Sequence, residues 1–369
     1  MAVLTELDLS ALPLIDQHCH AVTDGDVELE RWCTESPWPA APGTSHLDGQ
    51  LGLALRRWCA PALGLPAHAP IGDYLRVRRE LGGERATGEL MRAADLAALL
   101  VDTGLPGGGL DALGAAAGAP VREVVRLEAL AASVAAGATA AGFAGALVAA
   151  LGRAVDGGAV GCKSIVAYRH GLGIDPRRPT AREVTDAAGR WLAAGLPRLT
   201  DPVLLRFLLW CGIDAGRPVQ VHTGFGDPDA TLARCDPALL QPFCAATRDA
   251  GTPLVLLHCY PYHRSAGWLA HVFPHVSVDL GLTSTYLGAR FPAVLGEFLE
   301  LAPFGKLLYS SDAYGLPELY LIGAAQFRRA LGRLLGGWLA DDAMSRADAL
   351  ALAAAVGAGN AARIYRLGA

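Results

Sequence analysis

Eight short apolar runs recur along this chain, separated by stretches long enough to hold a helix, and that alternation limits its fold more than any other feature. The runs cover residues 12–20, 96–101, 123–127, 160–166, 218–222, 254–258, 276–280 and 307–312. Continuous apolar strands alternating with helices imply a parallel sheet buried on both faces, and eight such units predict a closed α/β barrel, the (β/α)8 TIM fold. At 369 residues the chain can hold one such barrel with an insertion, and no repeat or linker marks a second domain within 1–369. The surplus is predicted after the first strand, where residues 21–93 carry Trp32, Trp38, Trp58 and a Pro/Gly-rich passage at 37–43. Helical spacing at 50–58 and 71–81 makes this an inserted helical subdomain, expected to act as a lid or substrate wall, or as a contact between copies in a homo-oligomer.

Charge and cysteine usage remove several classes of partner. A net charge of -5 leaves no basic stripe, so nucleic acid and anionic membranes are not expected partners and a small-molecule substrate is. Residues 129–152 hold no charge, but their Ala, Gly, Ser and Thr content is too weakly apolar for a membrane span, and an outer barrel helix is expected there. Glu6 and Asp8 precede the first apolar run without a basic segment, so no secretory signal is read. The 8 cysteines form no C-x-x-C pair and fit a reducing cytoplasm, as small core residues. Of 31 basic side chains only Lys163 and Lys306 are lysine, which points to amine chemistry that a guanidinium cannot supply.

The polar residues fall where a barrel would use them. The first strand, LPLIDQHCH, ends in His18 and His20, which alternation turns to one face while Cys19 turns away. Two imidazoles about 6 to 7 Å apart on one face can close on a single cation. His222, His258 and Asp312 end the fifth, sixth and eighth strands, and Lys163 lies on the fourth. Strand ends of a parallel barrel converge on one face, so these residues become neighbours there, while Cys162 and Cys259 point away. Each has a plainer reading alone: a hydrogen-bonded histidine, a helix-capping Asp312, a Lys163 paired with Glu128. The ordered set is what argues for a site.

The stretches KSIVAYRHGL (163–172), VHTGFGD (221–227), LLHCYPYHRSAGWLA (256–270), VDLGL (278–282) and SSDAYGLPELY (310–320) resemble the amidohydrolase superfamily, and more closely the amidohydrolase domain that precedes a glutamine synthetase-like domain in fungal FluG and plant nodulin-type proteins. No such portion follows here, so a free-standing member is expected. The resemblance implies that His18, His20, His222 and Asp312 surround a divalent metal, with His258 a further ligand or a catalytic group. Zinc is the first expectation and manganese the second, at one or two ions per chain. A carbamylated Lys163 would bridge two metals; alternatively its ammonium would bind a substrate carboxylate.

The implied chemistry is hydrolysis of a C–N bond in a small carboxylate-bearing amide such as a γ-glutamyl amide. A metal would acidify the attacking water and polarise the carbonyl, with Asp312 moving the proton and His258 stabilising the oxyanion. Arg169 is read as a clamp on the substrate carboxylate, or else as a brace to Glu128 or Asp227. Tyr168, Glu128, Tyr262 and Tyr286 complete the substrate-facing set, with His263 beside them and Asp279 as a support for a histidine. Two other readings stay open: non-oxidative decarboxylation on the same barrel, and a barrel kept only as a binding module.

Overall fold

The computed structural model describes residues 6–23 and 28–368. Its eight strands, β1 (Leu14–Cys19), β2 (Leu96–Asp102), β3 (Val121–Arg126), β4 (Gly161–Ser164), β5 (Val219–His222), β6 (Leu254–Leu257), β7 (Val276–Asp279) and β8 (Leu307–Leu308), are parallel and pair in sequence order. Past the ladder the circle closes: the Gln17 amide donates to the Tyr309 carbonyl at 3.3 Å, the Asp312 amide to His18 at 3.0 Å and the His20 amide to Ala313 at 2.8 Å. This is the predicted (β/α)8 barrel. Parallel neighbours need crossovers, which is why every strand is followed by helix.

Two apolar regions result. Ile15, Leu100, Val124, Val255, Leu257 and Leu308 fill the barrel with Ile364 and Tyr365, which plug it at the end of the helix Asn360–Ile364. A larger cluster lies between the strands and the surrounding helices, and Cys19, Cys162 and Cys259 belong to it. The three thiols therefore face away from the barrel mouth, as alternation requires.

Several boundaries differ from expectation. The uncharged stretch 129–152 is two helices, Leu127–Ala135 and Phe143–Asp156, interrupted around Gly137 and Thr139. Among the described residues no helix is long and apolar enough to cross a membrane. Residues 180–214 also hold two helices. Ala181–Ala193 starts at a Thr180/Glu183 capping box and Pro202–Asp214 at an Asp201 cap. Between them Gly195 and Leu196 take positive φ and Pro197 cannot continue a helix. β3 stops at Arg126, which puts Glu128 in the first turn of a helix rather than at a strand end.

Between β1 and β2 lie the helices Leu29–Trp32, Gln50–Ala62, Ile71–Leu81 and Gly83–Ala94, of which the two read from spacing are extended or matched; residues 24–27 of this insertion lie outside the described residues. The insertion is tied to the barrel helix Pro317–Ala340 by a buried ion pair, Arg78 Nε to Glu318 Oε1 at 2.5 Å, with the Tyr74 hydroxyl donating to the same oxygen at 2.9 Å. Its tryptophans divide three ways. Trp32 packs on Tyr314 with ring centroids 5.8 Å apart, the Arg57 guanidinium lies 4.5 Å from the Trp58 ring, and Trp38 is 64% exposed.

Candidate active site

The site begins with an irregularity in β1. Its register shifts between Asp16 and Cys19, so that Gln17 as well as His18 and His20 reaches polar groups inside the barrel, where strict alternation would turn Gln17 out. His18 is fully buried, and its Nδ1 donates to Gln220 Oε1 at 2.8 Å. Gln220 cannot present its amide nitrogen instead, because that nitrogen donates to the Gln17 carbonyl at 2.6 Å and to the Tyr365 hydroxyl at 2.8 Å. The His20 Nδ1 likewise donates to the Asp102 carbonyl at 3.1 Å. Both rings therefore turn an Nε2 lone pair towards the mouth.

Those lone pairs face a carboxylate. Asp312 Oδ1 lies 3.0 Å from His18 Nε2 and 3.5 Å from His20 Nε2. Burial, helped by the charge of Lys163, holds His18 down at about 4, so no imidazolium proton separates the pair at neutral pH. Burial raises the Asp312 carboxyl, and it falls well below its ordinary range only where His258 carries positive charge and His18 and His20 donate hydrogen bonds to it; with neutral rings that role passes to another cation. Acceptors converging without a proton between them call for a cation.

The next two histidines strengthen the same requirement. Among the described residues, both ring nitrogens of fully buried His258 and Nε2 of His222 have no hydrogen-bond partner. Each such atom costs about 1–3 kcal/mol if left unpaired. Burial pushes His258 down to about 3, so it too is neutral. Its Nε2 stands 3.6 Å from Asp312 Oδ2, and its ring centroid 4.6 Å from that of His222 and 5.6 Å from that of His18. His258 and Asp312 both have left-handed backbones, φ 68 and φ 51, a conformation that costs a non-glycine residue about 1–3 kcal/mol. Backbone bonds enforce it: Asp279 accepts from the His258 amide at 2.8 Å and Thr283 donates to the His258 carbonyl at 3.0 Å. Asp279 thus supports a histidine as expected, through its main chain rather than its ring.

Lys163 Nζ lies 3.0 Å from His18 Nε2, and burial depresses it to about 8, near the point where its amine is neutral. Two donor sets, His18–His258–Asp312 and His18–His20–Asp102, bring one ligand atom each within 4.8 Å of one another. Imidazole nitrogen and carboxylate oxygen suit a divalent cation of the zinc or manganese kind, so the donor set fits the metal that the chain's sequence implies. Asp102 was not among the residues read from sequence. Its carboxylate is buried and paired with Arg126, Nε to Oδ2 at 3.0 Å. Its position at the end of β2, equivalent to that of His222 on β5, was the available signal.

Above these groups opens a cavity of about 560 Å³, walled by His20, Lys163, His222, His258 and Asp312 together with loop and insertion residues. Tyr168 lies against the His222 ring at 4.4 Å and Arg169 stands beside it on the wall. Arg169 makes no hydrogen bond or ion pair with any described residue, and its Nε is buried without a partner. Braces to Glu128 or Asp227 are therefore not formed. Glu128 itself is a correction to the substrate-facing set: its Oε1 accepts from the Ser164 hydroxyl at 2.7 Å and the Ile165 amide at 2.9 Å, bracing the loop after β4, and it does not wall the cavity. Tyr262 also lies off the wall, at the start of the helix His263–Val272, and His263 bonds Glu297 at 2.9 Å. Tyr286 reaches the site indirectly, donating to Glu35 Oε1 at 3.1 Å. Glu35 and Arg126, both on the wall, were missed: Glu35 lies in the insertion, and Arg126 ends β3 one residue inside the apolar run read as continuing to residue 127.

Comparisons with known proteins agree with this geometry. A family model described as Amidohydrolase matches residues 15–367. Protein fluG of Emericella nidulans is 32% identical over 232 residues, which is 58% of this chain and 26% of that protein, so the chain spans about a quarter of its curated relative. A crystal structure assigned as a metal-dependent hydrolase from Lactobacillus casei superposes with a TM-score of 0.86 at 29% identity, covering 98% of both chains. The uronate isomerase of Thermotoga maritima (TM-score 0.63, 13% identity, 97% of this chain and 95% of that one) shares the fold.

Proposed function

The chain belongs to the amidohydrolase family, and from that premise we propose that it hydrolyses the C–N bond of a small carboxylate-bearing amide, such as a γ-glutamyl amide. The observation that carries the reading is the conjunction of an ionised Asp312, facing the lone pairs of His18 and His20, with an unpartnered Arg169 on the same cavity wall. His18, His20, His222, His258 and Asp312 would hold a divalent cation, with Lys163 beside it as an amine or, after carbamylation, as a further ligand. Such a cation supplies Lewis acidity to the amide carbonyl and to a water.

The protein's own groups do the rest. Asp312 accepts a proton from the attacking water and hands it to the departing amine nitrogen. Arg169 holds the substrate carboxylate through charge-assisted bonds and fixes the amide over the histidines. Tyr168 and Trp32 wall the cavity and limit water around the reacting carbonyl. A hydrolase needs amine release; a decarboxylase on this barrel would release carbon dioxide instead.

The test is metal content per chain, with bicarbonate supplied, combined with amine release from a panel of γ-glutamyl amides. We expect bound zinc or manganese, amine release, and an Arg169→Ala variant whose KM rises about 10- to 100-fold with metal content unchanged. Carbon dioxide release without amine release, or no metal in a folded protein, would overturn the reading.

A further inference from the structure

The same cavity carries negative charge that the hydrolytic reading leaves unused. Glu35 comes from the insertion between β1 and β2, and Asp227 from the loop after β5; both wall the cavity. Neither carboxylate makes an ion pair with any described residue, and Arg31 on the same wall pairs with neither. Glu35 is held in place: the Tyr286 hydroxyl donates to its Oε1 at 3.1 Å and the Tyr314 hydroxyl to the same atom at 3.3 Å. Its Oε2 receives no hydrogen bond from a described residue, so one oxygen is anchored and the other is free for a ligand. Burial, followed by repulsion from Asp312 and Asp227, pushes the Glu35 carboxyl up to about 7, which is the condition of a carboxylate lacking a cation.

Arg169 presents the opposite case on the same wall, a guanidinium lacking an anion. We propose that Glu35, with Asp227 beside it, is the specificity-determining carboxylate that receives a substrate ammonium, so that the cavity selects substrates carrying both a carboxylate, on Arg169, and a protonated amine, on Glu35. The inference rests on the proposed function and deepens it: an α-amino acid head group, rather than a simple acid, is what the site recognises. An ammonium would fill the open Oε2 and neutralise the repulsion between Glu35 and Asp227 in one step. Neutral hydroxyl groups would do only the first.

Three probes separate these cases: L-glutamate, 2-hydroxyglutarate and glutarate, which differ only in carrying an ammonium, a hydroxyl or a hydrogen at C2. Titration calorimetry on the metal-loaded protein should find L-glutamate bound about ten- to a hundredfold more tightly than the other two. The Glu35→Gln variant should lose that preference while keeping its glutarate affinity, and Glu35→Asp should restore part of it, which separates charge recognition from loss of folding. Glutarate binding equal to that of L-glutamate in the wild type, or a preference kept in Glu35→Gln, would overturn the role of Glu35 and leave the amidohydrolase reading standing. Binding of none of the three would overturn both.

Discussion

Two sets of buried polar side chains lie one above the other inside the barrel, and they are finished to different degrees. The lower set, Gln17, Gln220, Asp279, Ser310 and Tyr365, closes on itself. Gln17 Oε1 accepts from Tyr365 at 2.5 Å and from Gln220 at 3.1 Å, its amide nitrogen donates to Asp279, and Ser310 donates to Asp279 at 2.7 Å. The upper set, His18, His20, His222, His258, Lys163 and Asp312, holds three unpartnered ring nitrogens and a carboxylate set against lone pairs. Equal burial thus hides opposite purposes. Satisfied polar groups fix one arrangement of the barrel, whereas unsatisfied ones are held ready for something the chain does not supply.

The sharpest way to break this contrast is to substitute in each set. Asp312→Asn should lower kcat by about 10³-fold or more, with the thermal midpoint of the metal-free protein nearly unchanged, because it removes a proton acceptor from a set that contributes little to folding without its cation. Steady-state rates beside calorimetric melting would check it, and a variant that melted early would erase the distinction. Gln220→Leu should act the other way, destabilising by roughly 3 kcal/mol in denaturant unfolding, since it strands the Gln17 carbonyl and the His18 Nδ1 proton and takes a donor from the Tyr365 hydroxyl. It should also weaken metal binding about 10-fold or more by releasing the His18 tautomer.

Metal removal sharpens the same comparison without a mutation. Chelated protein should melt earlier than protein with zinc or manganese at about 100 times its Kd, a difference of about 2.7 kcal/mol, and the increment should vanish in an Asp312→Ala, His18→Ala double variant. The smallest effect belongs to Glu35. Its folded-state value is raised from 4.5 to about 7, so the native state keeps a proton that the unfolded chain releases, and that stabilisation is present below about pH 4.5 and gone above about pH 7. Glu35→Gln should therefore resist urea better than wild type at pH 8, by about 1 kcal/mol after allowing for solvent at the cavity, and the two should converge near pH 4.

Much of this was legible in the chain because strand ends are a periodic signal. His18, His20, Lys163, His222, His258 and Asp312 could be gathered at the barrel mouth from their places on or just past the strands, and all six meet there. Breaks in that periodicity were not legible. Gln17 faces inward only because β1 loses its register beside Asp16, and no propensity marks that shift. Asp312 lies beyond the two-residue β8, turned inward by a left-handed backbone rather than by strand alternation. Glu128 and Tyr262 were misassigned for a related reason: one starts a helix and the other precedes one, and in both places direction is set by loop packing. Glu35 lay within an insertion whose helices could be read but whose contacts with Tyr286 and Tyr314 join segments far apart in sequence.

The Tyr365 plug has a bearing on how the protein comes into being. Its hydroxyl meets Gln17 across 348 positions and steadies Gln220, the residue that sets the His18 ring. A chain emerging from the ribosome can form its middle βα units early, but the first strand must wait for the last turn of helix before its histidine is aimed. A partly synthesised chain without Tyr365 lacks one of the contacts that hold Gln220 against the His18 ring. Assembly of the centre is thereby coupled to completion of the fold.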